Sequence, residues 1–367
     1  MRLVYLIHSL HGSGGMERVL SVKASWLAEK GGCEVHIVTA SLRGRTPFFP
    51  LSSKVSLHDL GTGDSFGPAL SRYGRALRKL LSELRPDVTI SLGGNDIYAL
   101  AQMEGVGVKL SEFHFSHDKF LVKYGRLPLG RTYASYRIRR FEKAAAAMAA
   151  LVVLTRADIP DWQSRVPSVR QIYNPVTLPD ALPSPLTERR MIAVGRLTSQ
   201  KNQASMIRAW RMVADRHPDW TLEIYGDGPL RDSLLKQIGE LGLGSQVFLK
   251  GVCRDIASRM RESSALVLSS AYEGFPLVLV EAAACGLPLL SYDCPKGPAE
   301  IIDDGRNGFL TAPGDEAGLA DAICRVIEDG QLRRDMGRAS LLKAEEFSPD
   351  RVMARWLELF NSLVDGK

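Results

Sequence analysis

The 367 residues contain no apolar run approaching the roughly 20 needed to cross a bilayer, so no helical membrane span is expected. The first residues, Met1 to Ile7, are too short for the apolar core of a signal peptide and carry no cleavage site. They read as a buried strand that begins at once, and the expected location is the cytoplasm. Cysteine is sparse and odd in number: Cys33, Cys253, Cys285, Cys294 and Cys324. No two of them have metal-ligand or redox spacing, which argues against a disulfide framework and a structural zinc site. There is no internal repeat, and no low-complexity stretch beyond Ala144–Ala147, which suits a helix. With 45% hydrophobic and 24% charged residues the chain cannot be disordered throughout, and its length calls for two or three domains.

What is present alternates. Leu3–Ile7, Val35–Thr39, Val88–Ser91, Val106–Leu110 and Leu151–Leu154 read as strands, with helical or loop segments between, the first helix spanning Glu17–Glu29. Strands separated by helices indicate a parallel sheet covered on both faces, and runs such as Ala150-Leu151-Val152-Val153-Leu154 fit strands buried on both sides. Four prolines between Asn174 and Glu188 break the pattern and mark a linker. The alternation then restarts, with strands over 191–194, 221–225, 246–249, 265–268 and 288–291 and helices near 201–216, 229–241 and 278–285. The expected organisation is a Rossmann-like domain over 1–173, a linker over 174–188 and a second Rossmann-like domain over 189–347. A helix over 348–367, started by Ser348-Pro349-Asp350, returns to the first domain through Val352, Trp356, Leu359, Phe360 and Leu363. Two such domains bind ligands outside the carboxyl ends of their strands, in a cleft if those ends face one another.

The net charge of +6 is uneven, with 24 Lys and Arg against 14 Asp and Glu in residues 1–178 and 23 against 27 after them. A basic front half suits an anionic partner. Ser71–Arg85 carries apolar residues at 73, 77, 80, 81 and 84 with Arg72, Arg75, Lys79 and Arg85 off that stripe, and Lys123–Lys143 adds seven cations among Leu127, Leu129, Tyr133, Tyr136 and Phe141. Either segment could lie on an anionic membrane, and either could pack on a core with a solvated face. No nucleic-acid-binding motif accompanies the charge.

Three segments carry chemistry. Gly12-Ser13-Gly14-Gly15-Met16-Glu17 follows the first strand and opens a helix, where glycine lets a ligand approach and free N–H groups favour phosphate. It is neither G-x-G-x-x-G nor a Walker loop, and a tight strand–helix turn would look the same. Val194-Gly195-Arg196-Leu197 to Lys201 occupies the equivalent place in the second half, and Arg196 and Lys201 could converge on a diphosphate. In the third, Glu273 lies in a loop with Gly274 and Pro276, and Glu281 lies one turn into an apolar helix, where a core carboxylate needs a partner. Ribose hydroxyls or an internal cation would serve. Phe275 and Leu277 could offer backbone N–H groups to phosphate.

Glu273, seven residues and Glu281 resemble the E-x7-E signature of retaining glycosyltransferases of family 4, with the GT-B fold. Gly14-Gly15-Met16-Glu17, Gly195-Arg196-Leu197 with Lys201, Tyr225-Gly226-Asp227-Gly228-Pro229, Cys294–Ile302, Gly308-Phe309-Leu310 and Pro313-Gly314-Asp315 are similar to further motifs of that family, across nearly the whole chain. The resemblance implies an α/β chain of two doubly wound domains and transfer of a hexose or N-acetylhexosamine from a nucleotide sugar, a UDP-sugar by preference. The acceptor would be a glycan or lipid-linked saccharide in surface polysaccharide synthesis. It implies that Glu281 holds ribose, Glu273 lies by the donor sugar, and Arg196 and Lys201 neutralise the diphosphate so that neither metal nor cofactor is required. Gly14 and Gly15 would admit donor phosphates and line the acceptor pocket with Glu17, and Val252 would meet the base through its backbone. A histidine of the first domain would contact the donor sugar. His114 is favoured over His117, which stays open as an acceptor contact. The competing readings are a sugar-nucleotide epimerase, a phosphorylase, a dinucleotide-dependent oxidoreductase and a non-catalytic sugar-nucleotide-binding subunit.

Overall fold

The computed structural model describes all residues except 13, 64–70, 125–126, 178–180 and 367, and the side chain of Lys123. The described chain forms two compact units, Met1–Pro175 with Pro349–Lys367, and Val176–Ser348.

The first unit runs β1 (Arg2–Ile7), α1 (Gly15–Glu29), β2 (Glu34–Thr39), β3 (Val55–Asp59), α2 (Arg72–Leu84), β4 (Val88–Ser91), α3 (Asp96–Leu100), β5 (Val108–Phe113), α4 (Lys119–Tyr124), α5 (Gly130–Ala145), β6 (Ala150–Val153), α6 (Ile159–Gln163) and β7 (Val169–Gln171). Its seven strands pair in parallel in the order β3-β2-β1-β4-β5-β6-β7. Both faces of the central strands are covered, so β4 and β6 are buried at every position and β6 is apolar throughout. One core layer joins Val4, Leu6, Tyr73, Leu77, Phe113, Phe141 and Trp162.

The second unit runs β8 (Arg190–Val194), α7 (Gln203–Ala214), β9 (Thr221–Tyr225), α8 (Arg231–Glu240), β10 (Val247–Gly251), α9 (Ile256–Arg261), β11 (Ala265–Leu268), α10 (Leu277–Ala284), β12 (Leu289–Tyr292), α11 (Pro298–Ile301), β13 (Gly308–Thr311), α12 (Glu316–Glu328) and α13 (Gly330–Ala344). Its six parallel strands are ordered β10-β9-β8-β11-β12-β13, around a core that includes Met191, Trp210, Ile224, Val267 and Ile323. Asp255, Asp315 and Asp329 cap α9, α12 and α13 with their carboxylates.

The last helix, α14 (Pro349–Asp365), belongs to the first unit and packs on α1. Val352, Met353, Trp356 and Phe360 are buried, Asp350 accepts from Trp26 Nε1 at 2.5 Å, and Arg355 donates to the Gln171 carbonyl at 2.6 Å. The proline-rich segment expected as a linker is partly built into the second unit. Ser184 Oγ donates to the Ser263 carbonyl at 2.6 Å, and Leu186 is buried.

Two expectations need correction. The strand expected over Val106–Leu110 runs over Val108–Phe113, because Gly107 turns at φ +74° and a Cβ there would meet the Pro86 carbonyl at 2.3 Å. Glu112 therefore lies within the sheet rather than in the following loop. The apolar stripe of Ser71–Arg85 is not available to lipid either. Tyr73, Leu77 and Leu81 are core residues, with Leu80 and Leu84 packed against them.

Candidate functional site

In a sheet ordered 3-2-1-4-5-6 the strand order reverses between the first and fourth strands, and the loops leaving their carboxyl ends part to leave a crevice. In the second unit those strands are β8 and β11. Their loops carry Gly195–Asn202 and Ser269–Pro276, so the topology brings together two motifs about 75 residues apart in sequence.

The loops are tied by backbone and side-chain bonds. Ala271 N donates to the Gln200 carbonyl at 2.8 Å, Gln200 Nε2 to the Tyr272 carbonyl at 3.2 Å, and Ser269 Oγ to the carbonyls of Lys201 and Asn202. At their junction Lys201 Nζ lies 2.6 Å from Glu273 Oε1, which also accepts from Ser270 Oγ at 2.6 Å. Glu273 is 6% exposed, whereas the Lys201 side chain retains 20%. The Lys201 stem lies along Gly195, where a Cβ would meet it at 3.3 Å. Gly297 closes the other side at φ +132°, where a Cβ would stand 2.6 Å from Pro276 Cδ and 3.5 Å from Glu273 Cβ. Burial, then the Glu273 charge, pushes the neighbouring Cys294 thiol up to about 12, so it is no nucleophile at neutral pH.

Arg196 is exposed, and among the described residues its guanidinium meets no partner; its carbonyl accepts from Gln203 Nε2 at 2.9 Å. Glu281 is half-buried on α10 rather than in the core, because Leu279, Val280, Ala282 and Ala283 fill the buried side of that helix. Phe275 is buried against Phe347 at 5.6 Å between ring centroids. The Leu277 N–H does not wait for phosphate. It donates to the Phe275 carbonyl at 2.9 Å in a three-residue turn. Val252 is 78% exposed beside β10, and Gly274 lies in the Glu273 loop.

In the first unit the loop after β1 holds Gly14 at the N-cap of α1 with Gly15 as its first residue. The Glu17 carboxylate folds back over it, and a Cβ on Gly14 would meet Glu17 Oε2 at 2.4 Å. The anion at this helix start is the protein's own, which opposes a phosphate there unless Glu17 moves. His114 and His117 both follow β5. His117 is held in the fold: Nε2 lies 3.2 Å from Glu142 Oε1, its N–H donates to Asp158 at 3.2 Å, and its ring stands on Trp162 at 4.8 Å. His114 turns to Glu112, with Nε2 3.3 Å from Oε2.

Sequence reasoning missed Ser270 and the Lys23–Glu112 pair, and took Gly297 only as part of the Cys294–Ile302 motif. The pair had a signal: a lysine in the apolar stripe Val19, Leu20, Ala24, Leu27, and a glutamate between Leu110 and Phe113. Among the described residues, one group could offer metal ligands, His217, Cys324 and Glu328, with atoms within 4.8 Å of one another. Arg216 already holds Glu328 at 2.7 Å, and its charge opposes a cation there.

Comparison with known proteins gives this geometry its context. Residues 177–342 match the family model of the glycosyl transferases group 1. An uncharacterized glycosyltransferase of Haemophilus influenzae is 27% identical over 97% of this chain and 98% of its own. The amylovoran biosynthesis glycosyltransferase AmsD of Erwinia amylovora is 26% identical over 98% and 99%. The same identity, over 98% of both chains, links a Campylobacter jejuni N-acetyl-D-galactosaminyltransferase whose name gives a diphosphoundecaprenol-linked saccharide as its substrate. Among solved structures, Staphylococcus aureus TarM, in a complex containing UDP, superposes with a TM-score of 0.80 at 16% identity over 98% of this chain and 100% of that one. Anabaena HepE in complex with UDP gives 0.78 at 19% over 99% and 100%. The two parallel-sheet units thus have the GT-B fold, residues 177–342 carry the sequence pattern of the glycosyl transferases group 1, and the chain as a whole is homologous to glycosyltransferases.

Proposed function

We propose that the protein is a retaining, metal-independent glycosyltransferase of family 4. It would move a hexose or N-acetylhexosamine from a UDP-sugar to a glycan or lipid-linked saccharide in surface polysaccharide synthesis. The observation that carries this reading is the Lys201–Glu273 pair at the β8/β11 switch point, with Arg196 exposed beside it on the same loop. Lys201 has three N–H donors and uses one on Glu273, which leaves two for diphosphate oxygens. Arg196 supplies a planar fork for the same group. Together the two cations stabilise the leaving diphosphate by fixed charge, the part a metal ion plays elsewhere.

Glu273, held by Lys201 and Ser270, orients the donor sugar, and half-buried Glu281 accepts from the ribose hydroxyls. Val252 meets the base through its backbone, and Gly274, Phe275, Pro276 and Leu277 shape the loop around the diphosphate. Glu273 and Glu281 lie on a loop and a helix and are not an acid/base pair of the glycosidase kind. The leaving phosphate takes the acceptor proton on the same face of the sugar. In the first unit His114 contacts the donor sugar, and Gly14, Gly15, Glu17 and His117 serve the acceptor side. A carboxylate over Gly14 favours a hydroxyl-bearing acceptor. No cofactor is assigned. The relatives named for amylovoran and for a diphosphoundecaprenol-linked saccharide support the acceptor class.

Peripheral attachment to an anionic membrane at its cytoplasmic face belongs to this reading through α4 and α5 rather than α2. Leu121 of α4, Leu127 and Leu129 between the helices, and Tyr133 and Tyr136 of α5 are exposed, with Arg131, Arg139 and Lys143 of α5 exposed as well. No helix among the described residues is long and apolar enough to cross a membrane.

The test is a thermal-shift titration in EDTA with UDP, GDP, ADP and NAD on wild type and Glu281→Ala. A ligand specific to the folded state at about 100 times its Kd adds about 2.7 kcal/mol. Stabilisation by UDP that the variant loses is expected. A shift with NAD alone, or with none of the four, sinks the assignment.

A further inference from the structure

The first unit buries a pair of opposite charges that the reading above leaves unused. Lys23 lies in the third turn of α1 and Glu112 on β5, each side chain 1% exposed, and Nζ stands 2.6 Å from both carboxylate oxygens. Trp356 of α14 covers the ammonium, with its ring centroid 3.6 Å from Nζ, and the Tyr5 ring lies on it at 5.6 Å. Taking two charges out of water costs about what their attraction returns, so stability alone does not account for such a pair. Burial works to neutralise Glu112, yet Lys23 and then His114 hold its carboxyl below the usual range, and it remains an anion.

His114 meets that anion. Its Nε2 is buried and lies 3.3 Å from Glu112 Oε2, off the axis of a formed hydrogen bond, and no other acceptor among the described residues bonds it. An imidazole nitrogen facing a carboxylate must carry its proton there, since a bare lone pair would be repelled. The backbone reinforces the placement. Gly93, at φ +71° in the loop after β4, comes so close that a Cβ would stand 2.6 Å from the Glu112 carbonyl oxygen.

We infer that Glu112, fixed by Lys23 beneath Trp356, is a positioning residue that holds His114 as its Nε2–H tautomer and leaves Nδ1 as the acceptor for a sugar hydroxyl. The tautomer stands on geometry alone. The hydroxyl contact rests on the proposed transfer reaction.

The experiment records long-range 1H–15N imidazole spectra of the full chain at pH 8, with His114 identified by the signals that His114→Asn removes. Wild type is expected to show the Nε2–H form alone. Glu112→Gln strands Lys23 and can lose stability, so the decisive variant is Lys23→Met with Glu112→Leu, which replaces the pair by apolar side chains of similar volume. That variant is expected to stay folded, to show both tautomers, and to lose about tenfold or more in kcat with little change in the donor KM. An Nδ1–H form in wild type, or one unchanged tautomer in the folded double variant, overturns the proposal. So does a shift in melting temperature with tautomer and kcat unaltered, the mark of a merely structural pair. A locked tautomer, relaxed in the variant, in a protein that turns over no nucleotide sugar supports the positioning and overturns only the transfer reading.

Discussion

Arg196 and Lys201 sit on one loop but differ in what they already hold. Arg196 is exposed, so Arg196→Ala should leave the melting temperature within about a degree and lower kcat/KM by about 100- to 1,000-fold, roughly 2.7–4 kcal/mol of barrier. Lys201→Ala removes the cation and also strands Glu273, whose carboxylate is 6% exposed. It should lose activity and melt several degrees lower, and Lys201→Ala with Glu273→Gln should recover stability without activity. A second carboxyl has its own signature. Asp96 is fully buried at the start of α3 with Oδ2 unbonded, and burial pushes it up to about 6, against a hydrogen bond from Ser91. A folded-state value above the unfolded 3.8 means the native state binds the proton more tightly, so stability falls as pH rises from about 4 to 6. The loss is about 3 kcal/mol by pH 7. Asp96→Asn should therefore raise the melting temperature at pH 8 and change it little at pH 4, and melts at the two pH values decide it.

At the scale of elements, α2 and the α4–α5 segment have similar charge and different fates. The α2 stripe is spent on the core, so Leu77→Ala should cost about 2–5 kcal/mol and leave liposome binding unaltered. In α5 the apolar residues Tyr133 and Tyr136 are exposed beside Arg131, Arg139 and Lys143. Changing those three cations to glutamate should abolish pelleting with anionic liposomes at low salt. Pelleting that persists would remove α5 from the membrane reading. Both helices are net positive with apolar residues interspersed, and the neighbours each finds in the fold separate them. The strands tell a similar story. The central ones were legible as short β-branched or apolar runs, continuous in β6 and β11, because both faces are buried. The three that were missed, β3 and β7 at the edges of the seven-stranded sheet and β13 at an edge of the six-stranded one, are partly exposed, so their sequences lack that run.

For the whole molecule, the last helix is chemically part of the first unit although the entire second unit precedes it in sequence. Ending the chain after Ser348 removes Trp356 from above Lys23 and Asp350 from Trp26. The first unit should then unfold well below the second, and calorimetry should resolve an early transition that wild type lacks. A single unshifted transition would contradict the packing described.

Sequence alone determined the class of fold, the return of the last helix and the motifs at the strand ends, because periodicity and glycine-bearing turns are local properties. It did not determine which charges meet. Lys201 and Glu273 are 72 positions apart and Lys23 and Glu112 are 89, and only strand order and burial bring each pair within 2.6 Å. Tertiary structure likewise decided that Glu281 stands at a flank, that the Leu277 amide is already used, and that Glu17 covers its own glycine loop. Each of these depends on which neighbour satisfies a polar group once water is excluded, and the sequence around that group does not contain the neighbour.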